Sequence, residues 1–488
     1  MINTRANGMP KQQPFDLQLE AGLSAFIVAN RLPVEFDAVA GWRRAPGGLV
    51  SALEPALQDI QATWVGWRGM PAPQKGEAPH TAVPPMSANI DVIEVAMTNQ
   101  EVRSFYDGAC NAAFWPLYHD AIIPPVFRDD EFAVYQQINQ RFADCVIKTA
   151  PDQALVWVHD YHLQLVPAQL REARPSLRIG YFLHVPFPRP EVFDTLPWKE
   201  SVLRGLLGAD LIGFQTAASA ENFLKAVKRN LSLGSDRHSI LVPSPTGLRR
   251  VRVGVFPVGP DAGRLSALAM QPAMRKAAAQ VRADLGGPKV VLLGVDRLDY
   301  TKGIERRIQV VADLQKSAAF AGLDLQFIQV AMPSRSDVAA YQHLRDHVQT
   351  TLRCVNDDLV ASGLRPIRYI NQALPTEQVV ALYMAADVML VTSLADGMNL
   401  VCKEYVACHP AGDGRLVLSK STGAAEQLRD AWLVDPTRFD DVKQGIAAAI
   451  GCNDQDARLR MNRLRQTVLG YDALHWGRSF MSCLQDAE

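Results

Sequence analysis

The sequence has no long apolar run, since no stretch approaches the roughly 18 residues that a membrane-spanning helix needs. It also has no excess of charge of either sign: 50 Lys and Arg residues face 51 Asp and Glu residues, which gives a net charge of −1. Such a balance would not draw the protein to nucleic acid or to an anionic membrane. Any site for an anionic ligand must therefore be built locally, and we expect neither of those partners.

Signature motifs of several enzyme classes are absent. No G-x-G-x-x-G follows the first strand-like segment and no G-x-x-x-x-G-K-[ST] occurs, which weakens a dinucleotide dehydrogenase and excludes a P-loop nucleotide site. The D-x-D at 454–456 opens a helical stretch, so it reads as a helix cap rather than as the metal ligand of a sugar transferase. His159, His162 and His184 follow strand-like segments, but no H-E-x-x-H accompanies them. We therefore expect no metal ion and no cofactor.

Cysteine is scarce and follows neither a disulfide nor a zinc pattern, because the number is odd and no C-x-x-C occurs. We expect buried free thiols in a reducing compartment, and hence a cytoplasmic protein. The first 23 residues lack the apolar core of a secretory signal, and we expect them to form a disordered tail. The cysteines are Cys110, Cys145, Cys354, Cys402, Cys408, Cys452 and Cys483.

Strand-like apolar runs alternate with helical periodicity along the 488 residues, a length that suggests two or three domains. This alternation predicts an α/β fold in which helices cover both faces of parallel sheets. Gly259-Pro260 ends a strand-like run, and we place a domain boundary there. The main runs lie at 24–29, 63–67, 92–97, 154–158, 178–183 and 210–214 in the first half, and at 290–295, 326–332, 386–392 and 416–419 in the second.

Two such domains, 24–258 and 259–470, would face each other across a cleft. Ligands of doubly wound sheets bind outside the carboxyl ends of the strands. A polar cluster follows a strand at each of five such ends, and we expect these clusters to share one cleft. They contain Arg31, Asp160, His184, Arg297 and Asp396.

The strand–turn–helix at 386–408 has the pattern of a nucleotide-sugar pocket. After the turn Asp396-Gly397-Met398-Asn399, the first turn of the helix has unpaired N–H groups that suit a diphosphate. The carboxylates of Asp396 and Glu404 suit sugar hydroxyls. The alternative is an ordinary strand–turn–helix with Lys403 and Glu404 as a solvated pair.

Arg297 and Lys302 leave the end of a strand just before a helix. Two cations at this place suit a diphosphate and would stabilise it as a leaving group. The alternative is that Arg297 pairs at the surface with Asp296 or Asp299.

Arg335 and Arg31 each allow two interpretations: the arginine binds a phosphate, or it is an exposed side chain without a ligand. Arg335 lies between Ser334 and Ser336 ahead of a helix, where it reaches the cleft or stands beside a helix cap. Arg31 follows the first strand, where it suits a second, separate phosphate or lies in a turn.

Eight motifs together resemble the trehalose-6-phosphate synthase family, glycosyltransferase family 20. The resemblance runs from about Phe26 to about Trp476. In chain order the motifs are N-R-L-P-V, P-G-G-L-V, W-V-G-W, W-V-H-D-Y-H-L, Y-F-L-H-V-P-F-P, D-L-I-G-F-Q-T, V-D-R-L-D-Y-T-K-G and D-G-M-N-L-V-C-K-E-Y. The resemblance implies a GT-B fold of two Rossmann-like domains, with a C-terminal helix, 471–488, that returns to the first domain. It implies a metal-independent, retaining transfer of glucose from UDP-glucose to glucose 6-phosphate, which gives α,α-trehalose 6-phosphate and UDP.

The resemblance also implies roles for the matched positions. Catalysis would depend on Arg297, Lys302, Asp396 and His184. UDP-glucose would be bound by Gly48, His184, Arg297, Lys302, Asp396, Gly397, Met398, Asn399, Leu400, Val401 and Glu404. Glucose 6-phosphate would be bound by Arg31, Trp67, Tyr106, Trp115, Asp160 and Arg335. No residue is well placed by sequence as a covalent nucleophile. The resemblance implies the family's proposed front-face route, in which the departing phosphate oxygen takes the acceptor's proton.

The chain departs from the family pattern at two places. Ala395 replaces an arginine beside the donor pocket, and the segment 352–358 replaces a Gly-rich stretch. Two rival functions stay open: a glucosylglycerol-phosphate synthase that uses glycerol 3-phosphate, and a catalytically silent homologue that senses sugar phosphate. The sequence leaves open whether the donor nucleotide is UDP, GDP or ADP, and whether the protein forms a homo-oligomer, a dimer or a tetramer.

Overall fold

The computed structural model describes residues 24–37, 41–45, 48–58, 60–73, 81–120, 122–245, 247–335 and 338–486. The predicted N-terminal tail, 1–23, lies outside the described residues. The strands are β1 (Ala25–Arg31), β2 (Val34–Asp37), β3 (Gly41–Arg44), β4 (Ala62–Trp67), β5 (Ile90–Glu94), β6 (Leu155–His159), β7 (Arg178–Leu183), β8 (Leu211–Phe214), β9 (Ser239–Ser244), β10 (Gly247–Val255), β11 (Val290–Arg297), β12 (Leu325–Met332), β13 (Arg368–Ile370), β14 (Val388–Val391), β15 (Arg415–Ser419) and β16 (Trp432–Val434).

Helices separate most of these strands, as the alternating pattern predicts. They are α1 (Gly48–Leu57), α2 (Asn99–Glu101), α3 (Trp115–Tyr118), α4 (Asp129–Thr149), α5 (Val166–Ala173), α6 (Pro190–Phe193), α7 (Lys199–Leu206), α8 (Ala217–Leu231), α9 (Ala262–Ala269), α10 (Pro272–Asp284), α11 (Ile304–Lys316), α12 (Ala339–Ala361), α13 (Thr376–Ala385), α14 (Leu400–Ala407), α15 (Phe439–Gly451), α16 (Asp454–Gly470) and α17 (Ala473–Gln485). A π-helix spans Val102–Phe114, and short 3-10 helices lie at Tyr161–Leu163, Tyr300–Lys302, Ala318–Phe320 and Gly423–Glu426. None of the described helices is long and apolar enough to cross a bilayer.

Two large sheets confirm the predicted α/β fold with two Rossmann-like units. The first has the order β5-β4-β1-β6-β7-β8-β10-β9, in which only the β9–β10 pair is antiparallel. The second has the order β13-β12-β11-β14-β15-β16 and is parallel throughout. The strand order reverses beside β1 and β11, and these switch points open a crevice at the carboxyl ends of the strands. The strands are continuous apolar runs because both faces are covered, and every residue of β6 and β14 is buried.

One sequence prediction about local structure is wrong, and two other segments are now defined. The helical stretch that begins at 454 is two helices, because the chain breaks at Tyr471 and Asp472 between α16 and α17. The segment 352–358, which replaces the family's Gly-rich stretch, continues α12. The cap of α16 is Asn453, whose side-chain oxygen accepts from the Asp456 N–H (2.9 Å), so the cap precedes the D-x-D.

The cysteine prediction holds in part. All seven thiols are free, but only Cys110, Cys402 and Cys408 are buried, while Cys354 is exposed. The disulfide-free state is therefore confirmed, and the expectation of uniformly buried thiols is wrong.

The last helix, α17, packs against the first sheet although it follows the second. Trp476 and Phe480 are buried in one cluster with Trp157 and Phe182, and the Phe480 ring stacks on the Trp157 ring at 4.4 Å. Gly180 on the neighbouring strand makes room for Phe480, because a Cβ at that position would meet the ring at 2.7 Å. The domain boundaries themselves stay a prediction.

Replacing Phe480 with Ala should destabilise the protein by about 3–5 kcal/mol, because a buried aromatic ring is lost and the strand glycines leave a cavity behind it. Thermal unfolding followed by tryptophan fluorescence measures the change. Arg478→Ala on the same helix is the matched control, since Arg478 is exposed. Equal unfolding midpoints for the two variants would contradict the packing role of α17.

Candidate active site

The turn between β14 and α14 places Asp396 at the carboxyl edge of the second sheet. Asn399 ends the turn in the left-handed region (φ 76°), and its side-chain oxygen accepts from the Cys402 N–H (3.0 Å), which caps α14. The helix begins at Leu400, as predicted. Because the cap satisfies only one N–H, those of Leu400 and Val401 have no helical partner and are available to an anion.

The Asp396 carboxylate is held by three polar groups. Lys302 Nζ donates to its Oδ2 (2.6 Å), as do Asn399 Nδ2 (2.9 Å) and, more weakly, the Ser393 hydroxyl (3.5 Å). Burial alone would raise the pKa of Asp396, but Lys302 and Asn399 outweigh it and hold that pKa below its ordinary value. The pocket therefore contains a fixed carboxylate beside the ammonium group of a buried lysine.

Arg297 does not form the surface pair that was the alternative to a ligand role. Asp296 pairs instead with the fully buried Arg307, and Asp299 pairs with a different arginine, described next. Among the described residues, no hydrogen bond or ion pair engages the Arg297 guanidinium, which lies 5.5 Å from the centre of the Trp115 ring. Arg297 is thus an exposed cation at the edge of the cleft.

Arg335 reaches from the second sheet into the first. Its guanidinium donates to Asp299 Oδ2 (2.9 Å) and to the Tyr341 hydroxyl on its own side, and to the Tyr161 hydroxyl (3.3 Å) on the other. It also covers the face of Trp115 at 3.8 Å. Its Nε is buried without a partner, so one strong donor remains for a ligand.

Arg31 begins a second wall of the cleft. Its guanidinium lies 4.9 Å from the centre of the Trp67 ring. The ring centres of Trp67 and Tyr106 are 5.6 Å apart, and Tyr106 in turn stacks on His162 with ring centres 6.1 Å apart. Burial lowers the pKa of His162 well below its ordinary value, and the charges of Arg335 and Arg31 lower it further. Arg31 and Arg335 are therefore both close enough to His162 to affect its pKa, and one anion bound beside His162 could contact both arginines.

Asp160 and His184 follow the neighbouring strands β6 and β7. Asp160 Oδ1 accepts from the His184 N–H (3.1 Å), and burial raises the pKa of Asp160 to about 6. Burial lowers the pKa of His184 to about 3, so its ring is neutral near pH 7. Asp160, Arg335 and Asn399 all have positive φ angles, of 72°, 47° and 76°. Such strain in non-glycine residues clusters at functional sites.

Two glycines let the halves of the molecule approach closely. A Cβ at Gly397 would lie 2.2 Å from the carbonyl oxygen of His184, and a Cβ at Gly48 would lie 3.0 Å from Leu400 Cδ1. In each case one residue belongs to the first sheet's half and the other to the second's. Glycine is required at Gly397 because a backbone carbonyl cannot move aside as a flexible side chain can.

Lys403 and Glu404 are not the solvated pair that was the alternative reading of this helix. Lys403 is buried and donates to the Val258 carbonyl (2.7 Å) and to Gln427 Oε1 (2.6 Å); burial lowers its pKa to about 8. Glu404 accepts from the Tyr383 hydroxyl (3.0 Å), and burial raises its pKa. Lys403 therefore ties α14 to the junction between the halves.

The structure gathers the predicted positions along the facing carboxyl edges of the two sheets. The Met398 side chain packs in the core of the second half, so its backbone is the part that can face a ligand, as the predicted role requires. Their binding roles stay predictions. Among the described residues, no three or more His, Cys, Asp and Glu side chains are arranged to hold a metal ion.

Three further residues belong to the same cleft and were not predicted as site residues: Asp299, Tyr341 and His119. Asp299 holds Arg335, and although burial would raise the pKa of Asp299, the cations Arg335, Arg297 and Lys302 hold it at about 2. The His119 ring contacts Trp115 at 4.1 Å, and its Nδ1 lies 2.8 Å from the Trp115 carbonyl. His119 could have been recognised as the residue that follows α3, four positions after the predicted site residue Trp115. The sequence around Tyr341 offers no such signal.

A sequence model of glycosyltransferase family 20 matches residues 24–486. A trehalose-6-phosphate synthase of Mycolicibacterium gilvum (strain PYR-GCK) is 41% identical over 498 residues, which cover 100% of this chain and 99% of that protein. One from Mycobacterium avium (strain 104) is 42% identical, with 94% and 95% covered.

Solved structures agree in fold. An α,α-trehalose-phosphate synthase (UDP-forming) from Burkholderia xenovorans, in complex with glucose-6-phosphate, has a TM-score of 0.85 at 27% identity, with 95% of this chain and 100% of that chain covered. A structure from E. coli bound with UDP-2-fluoro glucose has a TM-score of 0.84 at 30% identity, with 95% and 99% covered. These neighbours confirm the predicted GT-B fold.

Replacing Asp160 with Asn should stabilise the protein by about 1–3 kcal/mol at pH 8. The folded-state pKa of Asp160, about 6, lies above the ordinary value. Ionising this group therefore costs stability, and the cost grows as the pH rises from about 4 to 6. The gain in D160N should accordingly shrink towards pH 5. Thermal midpoints of both proteins at pH 5 and pH 8 measure it, and a gain that is larger at pH 5 would contradict the assignment.

Proposed function

The chain belongs to glycosyltransferase family 20, and on that premise we propose that it transfers glucose from UDP-glucose to glucose 6-phosphate, giving α,α-trehalose 6-phosphate and UDP. The observation that carries the proposal is that two separate sets of cationic side chains lie in one cleft. Arg297 and Lys302 lie on the side of the nucleotide-type turn, and Arg335 lies among the aromatic residues of the opposite half. Two phosphorylated substrates require such a pair of anion sites.

The donor diphosphate is proposed to bind Arg297, Lys302 and the free N–H groups at Leu400 and Val401. The Lys302 ammonium has three donors and Asp396 takes one, so two remain for phosphate oxygens. Asp396 and the backbone of 397–399 would hold the glucose, with Gly48 and His184 on its other side. Glu404 would hold the ribose, for which its acceptor oxygens are suited.

The acceptor is proposed to bind between Arg31 and Arg335, with Trp67, Tyr106, Trp115 and Asp160 around its sugar ring. Unsatisfied donors support this location, because buried polar atoms normally have partners. Arg335 Nε and Trp115 Nε1 are buried N–H groups without a hydrogen-bond partner. A sugar phosphate would supply oxygen atoms to both.

We propose a retaining, front-face mechanism. The bond from glucose C1 to the diphosphate oxygen breaks, the acceptor oxygen bonds to C1 on the same face, and its proton passes to the departing phosphate oxygen. Asp396 is a poor nucleophile for a double displacement, since Lys302 and Asn399 stabilise its negative charge and lower its pKa, which makes the carboxylate less basic. The protein contributes alignment and fixed positive charge.

Metal independence is part of the proposal, because Arg297 and Lys302 supply at the diphosphate the positive charge that a divalent metal supplies elsewhere. We also propose a cytoplasmic location, which seven free thiols support. A dimer or tetramer stays a prediction.

Purified protein with UDP-glucose and glucose 6-phosphate should release UDP at the same rate in EDTA as in magnesium, and the product should have the mass of a disaccharide phosphate. Parallel reactions with ADP-glucose, GDP-glucose and glycerol 3-phosphate measure donor and acceptor preference. Strict metal dependence would contradict the mechanism. Preference for glycerol 3-phosphate would reassign the acceptor, and no turnover with any pair would favour a silent sensor.

Arg297→Ala should lower kcat by about 10²–10³-fold, because one preorganised charge on the leaving group is lost. Stability should stay within about 0.5 kcal/mol, since Arg297 is exposed and makes no described hydrogen bond. Steady-state kinetics and a thermal midpoint check both parts, and a large drop in the midpoint would show a structural role instead.

Arg335→Lys should raise the KM for glucose 6-phosphate by about 10–100-fold, because the planar fork is lost while a charge beside Asp299 is kept. The KM for UDP-glucose should change far less. Arg353→Ala, an exposed arginine on α12, is the control for removing a positive charge. Equal increases in both KM values would place Arg335 outside the acceptor site.

A further inference from the structure

Two histidines lie side by side at the ends of adjacent strands. His159 is the last residue of β6, and His184 follows directly after β7, its parallel neighbour. His159 Nδ1 lies 3.1 Å from His184 Nε2, within hydrogen-bond distance. One proton must lie between these two nitrogens, because two lone pairs or two N–H groups would repel.

The two rings are enclosed on the side away from the cleft. His159 is fully buried, and its second nitrogen, Nε2, has no partner. The ring centres of Trp157 and His159 are 4.7 Å apart. Trp476 of α17 packs edge to face against the His184 ring, with ring centres 5.8 Å apart. Burial lowers the pKa of both imidazoles, to about 3 for His184, and a charge on His184 would lower the pKa of His159 further. Both rings are therefore neutral near pH 7.

Because His159 Nε2 is buried without a partner, it determines which of the two rings donates the hydrogen bond between His159 Nδ1 and His184 Nε2. If His184 donated, the remaining proton of His159 would sit on the buried Nε2 as an N–H without an acceptor. Orphaned buried N–H groups are rarer than under-satisfied acceptors. The favoured arrangement is therefore His159 Nδ1–H donating to His184 Nε2. In a neutral ring this leaves the proton of His184 on Nδ1, which has no hydrogen bond to any described residue.

We infer that His159 is a positioning residue that fixes His184 as a hydrogen-bond donor, through Nδ1–H, to an oxygen of the glucose being transferred. The inference rests on the proposed function, which places that glucose beside His184. A free neutral imidazole could present either a donor or an acceptor and could rotate by half a turn. His159 removes that ambiguity by occupying Nε2, while Phe182 and Trp476 restrict rotation of the ring.

Three variants separate hydrogen bonding from packing. In His159→Asn the amide N–H takes the place of Nδ1–H, whereas in His159→Gln the amide reaches the position of Nε2, and His159→Phe only fills the space. We expect kcat within about 3-fold of the parent for H159N, and a fall of about 10–100-fold for H159Q and H159F. The KM for glucose 6-phosphate should change less than about 2-fold, because the acceptor site keeps its partners.

Selective ¹⁵N labelling of histidine gives a readout that does not depend on turnover. His184 should be in the Nδ1–H form in the parent and in H159N, and should become a mixture of tautomers in H159F. His184→Ala identifies its resonances, and H159F added to H184A should cause no further loss of kcat. Equal losses in H159N and H159Q, or an Nε2–H form of His184 in the parent, would overturn the inference. An inactive parent would refute the proposed function, and the tautomer of His184 would still decide the role of His159.

Discussion

The buried ion pair between Asp299 and Arg335 is the interaction on which the cleft depends. A charge in this position must be paired, because an isolated buried carboxylate costs several kcal/mol. The pair belongs to the second sheet, yet Arg335 lies on Trp115 and bonds to Tyr161 of the first. The same guanidinium therefore neutralises Asp299, joins the two halves and keeps one N–H group, at Nε, for a ligand. Without Asp299, Arg335 would lose the charge partner that holds it in this position.

Close backbone approach is the second requirement of the cleft. Gly397 lies against the His184 carbonyl, and Gly423 lies against the Gly397 carbonyl, where a Cβ would approach to 2.0 Å. The turn at 396–399 is thus fixed between two backbones rather than by side chains that can move. A turn of this kind presents its free N–H groups in a constant direction, which is what electrostatic preorganisation demands.

Sequence patterns predicted those elements whose structure is determined by residues close together in the chain. Buried parallel strands are continuous apolar runs, and the turn at 396–399 is polar and glycine-containing, so both could be recognised. The Lys302–Asp396 and His159–His184 contacts could not, because they join residues distant in the chain through the order of the strands. The π-helix at Val102–Phe114 has no distinctive period, and the helical continuation through 352–358 was hidden by comparison with a Gly-rich pattern.

The crossing of α17 has a consequence for how the protein is made. The core under the first sheet joins Ile27 and Trp157 to Phe480 and Leu484. Helix α1 covers part of that face through Val50 and Leu53, but the rest stays exposed during synthesis until α17 has been made. The amino-terminal half therefore cannot complete its core as an independent unit, and its folding has to wait for a helix that lies beyond the whole second sheet in the chain.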